Sequence, residues 1–330
     1  MKCIRVNNFE EIETDWLRLF RRQLNTPFQS FPYNQLFISQ FCDQDNIYIL
    51  KILDQEKVVA IVAFELIAEV IVFVGMKPVL GKEEITDYGD IVVDMQYCQN
   101  KTKYQLIWET IFNYFKDLHI QKLQLDYVRE DSLIWQILKE REHTITTPIE
   151  VAPWINLSCS WDEYIASLKR IDRKELKRKL KRIELQSYQL IEMDTIRKED
   201  FDQFITLHKL SDTAKEKFMS EEMASFFWQV SQINYSLWKT KLWFLEIDNK
   251  KVAAIMGFVS DNHLLMYNSG FDPAFSYYSV GLLSHALILQ KYFNSRYQIY
   301  DFMRGSERYK YDLGAINLQL YRISLNLNSF

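Results

Sequence analysis

Between Leu264 and Tyr311 the chain gathers side chains able to move protons and hold anions, in the stretch LLMYNSGFDPAFSYYSVGLLSHALILQKYFNSRYQIYDFMRGSERYKY. Asp301 offers a carboxylate, Arg304 and Lys310 offer cations, and Tyr309 offers a phenol. His208 and His285 add imidazoles, which titrate near pH 6.5 when unperturbed. An apolar run ends in Gly-Phe-Asp-Pro, a loop follows, and Gly281 opens an apolar-periodic helix reaching about Phe293. The first turn of such a helix, Ser279-Val280-Gly281-Leu282, presents backbone N–H groups without intrahelical partners, and these suit a phosphate. The pattern contains no Ser-His-Asp arrangement, metal cluster or phosphate-binding loop.

These residues need a scaffold of strand, loop, helix and strand, a crossover between two parallel strands of one sheet. The apolar run supplies the first strand and residues 298–303 the second, which carries Asp301. Upstream, KLWFLEIDNKKVAAIMGFVSDNHLLMYNSGFDP reads as three strands joined at Asp248-Asn249 and Asp261-Asn262. FDQFITLHKL and SEEMASFFWQVSQI read as helices, and INLQLYRISLNL as a closing strand. WDEYIASLKRIDRKELKRKLKRIELQ reads as one long helical stretch. It holds nine Lys or Arg in the fourteen residues from Lys169 to Arg182, including Arg173 and Arg178, against an apolar stripe of Leu168, Ile171, Leu176, Leu180 and Ile183.

The first half repeats this order. Residues 1–42 read as mostly helical, with Ile12, Trp16, Leu19 and Leu24 near one face. NIYILKILDQEKVVAIVAFEL, VIVFVGM and DYGDIVVDM read as strands, YQLIWETIFNYFKDL as a helix and KLQLDYV as a strand. Pro148 and Pro153 mark the crossing, which predicts domains at 1–152 and 153–330. The 330 residues suit two domains, and 48% hydrophobic with 25% charged residues places the chain among globular proteins. A formal charge of −4 argues against general DNA binding. Val58–Met76 is the most membrane-like stretch, but Glu65 and Glu69 interrupt it, so two buried strands are expected and no span. Four scattered cysteines read as reduced thiols, and the acidic, leaderless start as cytoplasmic.

The spacing of YNSGFDP, SVGLL, YDFMRG and ERYKY resembles the second half of the CelD/BioF-like acyltransferases, tandem members of the GNAT superfamily related to the Fem aminoacyl transferases. FQSFPYNQLF, TDYGD at 86–90 and the basic run before Ile183 agree with it. The resemblance implies an α/β (α+β) fold of two GNAT-like domains, each a mixed, mostly antiparallel sheet with flanking helices. It implies acyl transfer from acetyl-CoA or another acyl-CoA, without metal, to a small-molecule or glycan-precursor amine, such as an amino sugar used in surface polysaccharide. The pantetheine arm would enter between two parted strands, with Ser279, Val280, Gly281, Leu282 and Arg304 at the donor phosphates. Asp301 and His208 would assist deprotonation, Tyr309 would protonate the thiolate, and Lys310 would hold an anion. Tyr267, Asp272, Arg173 and Arg178 would meet the acceptor or its anionic groups. SVGLL lacks the basic residue and paired glycines usual in GNAT enzymes, which leaves a Fem-type, tRNA-dependent donor open, although the second half shows no long paired helical arm of the kind Fem enzymes usually carry; a noncatalytic binding subunit is a third reading. The first half has no glycine at the matching helix start, and reads as a degenerate partner.

Overall fold

A computed structural model describes residues 1–21, 25–233, 235 and 237–329, so Leu24 of the predicted apolar face lies outside the described residues. The chain forms two units, Met1–Glu150 with Leu318–Phe330, and Val151–Asn317. The closing strand therefore belongs with the first half, whereas the sequence pattern assigned everything after residue 152 to the second.

The first unit begins with a strand the sequence pattern missed, β1 (Lys2–Val6), which pairs antiparallel with β2 (Ile47–Asp54). Between them lie α1 (Glu13–Leu19) and α2 (Phe31–Phe41), the latter started by Ser30, whose hydroxyl accepts from the Tyr33 N–H. β3 (Lys57–Ile67) and β4 (Val70–Phe73) follow, so Val58–Met76 is indeed a pair of strands. Among the described residues no helix is long and apolar enough to cross a membrane. The predicted strand DYGDIVVDM shrinks to β5 (Val92–Val93). Next come α3 (Met95–Cys98), α4 (Lys101–Asp117), β6 (Lys122–Arg129) and α5 (Leu133–Leu138). One strand, β7 (Thr144–Asn156), contains both Pro148 and Pro153, so the prolines sit within an extended segment.

In the second unit the predicted long basic helix is broken at Leu168 into α6 (Trp161–Ser167) and α7 (Arg170–Ile183). The Leu168 ψ of 147° is incompatible with continuing the first helix. β8 (Tyr188–Met193), α8 (Lys198–Ser211), α9 (Thr213–Phe218) and α10 (Glu221–Gln232) lead to β9 (Lys239–Ile247), β10 (Lys250–Val259) and β11 (His263–Phe271). Asp248 and Asn249 both have positive φ, 49° and 63°, as the predicted hairpin turn requires. α11 (Val280–Tyr292), β12 (Ile299–Asp301) and α12 (Arg308–Asp312) follow, after which the chain returns to the first unit as β13 (Ile316–Asn326), antiparallel to β6. The sheet order in this unit is β7-β12-β11-β10-β9-β8, and only β11 and β12 are parallel neighbours in it. The expected mixed, mostly antiparallel α/β architecture is the one observed.

Successive strand residues face opposite sides. At Gly270 a side chain would strike the His208 backbone at 2.3 Å, while the next residue, Phe271, lies against Gly281. α8 therefore covers one face of β11 and α11 the other.

Candidate active site

β11 and β12 pair over only three residues, ending at Leu265 opposite Asp301. Beyond that point β11 continues along β10 as far as Phe271, whereas the other chain stays on β7, with Phe302 N–H donating to Pro153 O (2.9 Å) and Gly305 N–H to Val151 O (3.0 Å). The two parallel strands thus part. A bulge at Tyr267 opens the same stretch: Met256 opposes Asn268, Gly257 opposes Met266, and Tyr267 has no partner in the ladder. Gly257 allows it, since a side chain there would meet Leu265 O at 2.3 Å.

The parted edge of β11 is polar. Asp272 N–H donates to Val252 O, and alternation along an antiparallel pair then turns the N–H and C=O of Ser269 away from β10. Both are met by side chains: Asn268 Oδ1 accepts from Ser269 N–H (3.1 Å), and Lys215 Nζ donates to Ser269 O (2.7 Å). Asn268 Oδ1 also lies 2.9 Å from His208 Nε2. His208 is buried and pushed down to about 3 by burial, with Lys215 adding to the effect and Asn268 opposing it. A neutral imidazole that orients Asn268 is a positioning group in this geometry.

On the other bank, Asp301 is buried and its Oδ1 accepts from Met303 N–H at 2.7 Å, holding Met303 at φ 59°. Arg304 is partly buried on the following loop, and its carbonyl accepts from Lys310. The Lys310 ammonium, itself buried, donates to Met303 O (3.3 Å), Arg304 O (2.8 Å) and Gly305 O (2.9 Å), and pairs with Glu307 (2.9 Å). Lys310 thus ties this loop together. Tyr309 stacks on His285 at 5.1 Å, and its hydroxyl makes no hydrogen bond among the described residues. Burial raises the Tyr309 phenol, so it stays protonated. His285 shares a 2.7 Å hydrogen bond with the Tyr300 hydroxyl and is pushed down to about 3, by burial first and then by Lys310 and Lys215.

α11 starts beside the parted strands. Ser279 adopts the left-handed conformation (φ 58°) without capping the helix by its side chain. Among the described residues, the N–H groups of Val280, Gly281 and Leu282 have no partner. The absent side chain of Gly281 makes room for the Phe271 ring, 3.1 Å from where a Cβ would lie. Its role in the fold is close packing of helix on strand.

The basic helix supplies cations here, though from other residues than those singled out. Arg173 donates to Ala166 O (2.7 Å) at the end of α6, and Arg178 pairs with Glu175 (2.8 Å). Instead Lys179 reaches Ser279 Oγ (3.0 Å), while Arg182 donates to Tyr277 O and lies 4.3 Å over the Tyr277 ring. The signal was available: Leu176, Leu180 and Ile183 define the packed stripe, and the cations flanking it are those carried toward α11. Asp272 binds Ala274 N–H (2.9 Å) and Lys250 (2.7 Å), which fixes the turn after β11. Tyr267 packs between Phe227 (5.5 Å) and Phe258 (5.2 Å). Lys215 carries no sequence signal, because α9 is only six residues long and has no apolar period.

The first unit has the same parting and closes it. β4 and β6 are parallel over Val70–Ile71 against Lys122–Leu123. The chain then makes an excursion, and Gly89 N–H donates to Tyr127 O (3.1 Å) on β6. A side chain at Gly89 would meet Asp126 O at 2.5 Å and the Phe73 ring at 2.8 Å. Gln29 holds Tyr88 O (2.6 Å), Tyr33 holds Thr86 (2.8 Å) and Asn25 holds Ile91 O (3.1 Å). The cavity beside this plug measures about 20 Å³, room for roughly one water.

A bulged strand parted from its parallel neighbour, with an uncapped helix start beside the gap, is a GNAT-like arrangement. Residues 171–311 match the family model described as an acetyltransferase (GNAT) domain. The whole chain superposes on FemX with a TM-score of 0.64 and 11% identity, covering 100% of this chain and 98% of that one. It superposes on a conserved protein of unknown function from Bacteroides thetaiotaomicron VPI-5482 (0.61, 10% identity, 98% and 99% covered). The C-terminal domain of a putative lysylphosphatidylglycerol synthetase from Agrobacterium fabrum is similar too (0.61, 10% identity, 97% and 92% covered). At these identities the likeness is one of fold. No curated protein matches the sequence.

Proposed function

We propose that this chain is a CelD/BioF-like, cytoplasmic N-acyltransferase that moves an acyl group from acyl-CoA to an amine, an amino sugar of a surface-polysaccharide precursor being the leading acceptor class. The observation carrying this reading is the parting of β11 from β12 next to the unpartnered first turn of α11. A linear arm can pair with the free edge of β11, and its phosphates can lie at the N–H groups of Val280, Gly281 and Leu282 within reach of Lys179 and Arg182. The acyl-CoA brings the activated thioester; the protein's residues orient it and move protons. Tyr309, protonated and not hydrogen-bonded, gives its proton to the departing sulfur. Asp301 takes the acceptor's proton through a water, and Lys310 and His208 hold the walls of the site in register. The first unit, its gap plugged by residues 85–91, serves as a degenerate partner.

Titration calorimetry with acetyl-CoA tests the reading: saturable heat that is lost on Lys179→Glu/Arg182→Glu supports it, and no heat overturns it. A Fem-type donor, an aminoacyl ester of tRNA, is the second reading, favoured by the single glycine in SVGLL. Binding of charged tRNA without acetyl-CoA heat would select it.

A further inference from the structure

Lys215 sits at the parted edge of β11 as a partly buried ammonium with no carboxylate in ion-pair contact among the described residues. Its Nζ has one hydrogen bond, to Ser269 O at 2.7 Å, and no ion pair among the described residues. An ammonium has three N–H donors, so two remain. The two carboxylates that act on it are engaged elsewhere: Asp212 caps α9 through Ala214 N–H (2.6 Å), and Glu307 pairs with Lys310 (2.9 Å). Asp212 and Glu307 therefore offset the burial of this cation only from a distance, and an arriving anion in direct contact relieves the rest of that cost. The cation approaches from the α8 side of the sheet, since α9 follows α8 directly and Gly270 turns that face toward His208. The donor's phosphates, on the reading above, lie on the opposite face with α11.

We propose that Lys215 is an anion-reading residue of the acceptor site, and that the amine substrate carries an oxyanion, a phosphate or a carboxylate, which docks on this ammonium. The proposal rests on the acyltransferase reading for the identity of the substrate, but not for the existence of the anion site. It narrows the acceptor class from neutral amines to anionic ones, for example a phosphorylated in place of a free amino sugar. Amide formation is balanced without further reagents: the amine nitrogen bonds to the acyl carbon, the C–S bond breaks, and the amine's proton and the thiol's are exchanged with solvent.

The test compares glucosamine 6-phosphate with glucosamine, and β-alanine with β-alaninamide, as acceptors from acetyl-CoA in wild type, Lys215→Met and Lys215→Arg. One hydrogen-bonded charge contact is worth roughly ten- to a hundredfold in kcat/KM. Wild type should prefer the anionic member of one pair by at least about tenfold. Lys215→Met should bring that ratio near unity and Lys215→Arg should retain most of it. The responding pair identifies phosphate or carboxylate. An unchanged ratio in Lys215→Met overturns the proposal, as does wild type preferring the neutral members. If neither pair is turned over, the Lys215 side-chain NMR resonance titrated with inorganic phosphate and with acetate decides: a saturable shift sustains the anion site and no shift overturns it. Absent acetyl-CoA heat together with a saturable shift would sink the acyl-CoA reading and leave this one standing.

Discussion

Replacing Tyr309 with Phe should separate catalysis from folding. The hydroxyl it removes has no hydrogen-bond partner among the described residues, while the ring keeps its stack on His285 (5.1 Å, 28°) and its edge contact with Phe302 (6.0 Å, 77°). Nothing buried is left unsatisfied, so the stability change should stay within about 0.5 kcal/mol. If the phenol protonates the departing sulfur, its loss should lower kcat by about 10²-fold or more, a barrier increase of about 2.7 kcal/mol. Turnover is measured as thiol release from acetyl-CoA with the best amine of the acceptor comparison, and stability by urea unfolding of the same preparation. Burial raises the phenol above its ordinary value near 10. The protonated form therefore persists across the neutral range, and the wild-type rate should show no alkaline decline from this group below about pH 10. A kcat within threefold of wild type refutes the acid role. A loss of several kcal/mol would show that the hydroxyl holds structure that the geometry does not record.

Charge reversal at Lys179 and Arg182 should weaken acetyl-CoA binding at least about tenfold and flatten its salt dependence, whereas Arg173→Glu/Arg178→Glu should leave affinity within about threefold; calorimetry across a salt series decides. Burial pushes the Glu192 carboxyl up, but hydrogen bonds from Lys241, Lys291 and Tyr292 outweigh it and hold the group at about 2. A lowered folded value means stabilisation that is complete above the unfolded value near 4.3 and lost as pH falls toward 2, so Glu192→Gln should flatten the fall in stability measured by urea unfolding between about pH 5 and 2. Gly89→Ala should cost about 1–3 kcal/mol, because Asp126 O is backbone and cannot yield. Gly281→Ala should be near neutral in the same unfolding assay, since the Phe271 ring must give only slightly and alanine favours the helix by about 1 kcal/mol.

What could be read from the sequence was whatever rests on periodicity. The helix at Val280–Tyr292, the hairpins of β9 to β11 and the crossover to β12 follow from apolar spacing and turn residues, and these build the gap. The missed parts depend on contacts distant in sequence. β1 is five residues long and is recognisable as a strand only by pairing with β2. β13 looks like the end of the second half until its register with β6 is seen, because alternation does not name a partner. Roles were harder still, since residue type states what a side chain can do and not which neighbours already occupy it. Lys310 was singled out as an anion holder, yet its ammonium is taken up by three carbonyls and Glu307. Arg178 reads as an anion-docking cation, yet Glu175 stands one helical turn before it and pairs with it, while Lys179, which Glu175 also touches at 3.3 Å, is the one that reaches Ser279.

The two halves fill their partings differently, and the difference bears on the proposal that the second half binds ligands. In both, a short parallel pairing ends early and leaves strand edges whose polar groups need partners. In the first half those needs are met by a chain excursion, where Gly75, Pro78 and Gly81 supply the bends and Gly89 allows backbone to approach backbone. In the second half Ser269 is met by two side chains, Asn268 of the same strand and Lys215 of α9. A backbone plug can leave only by local unfolding, whereas a side chain can leave by rotating. The difference in how each gap is filled is therefore the physical reason to assign exchangeable ligands to the second half, and it makes Lys215 and Asn268 the groups to watch when a donor or acceptor is added.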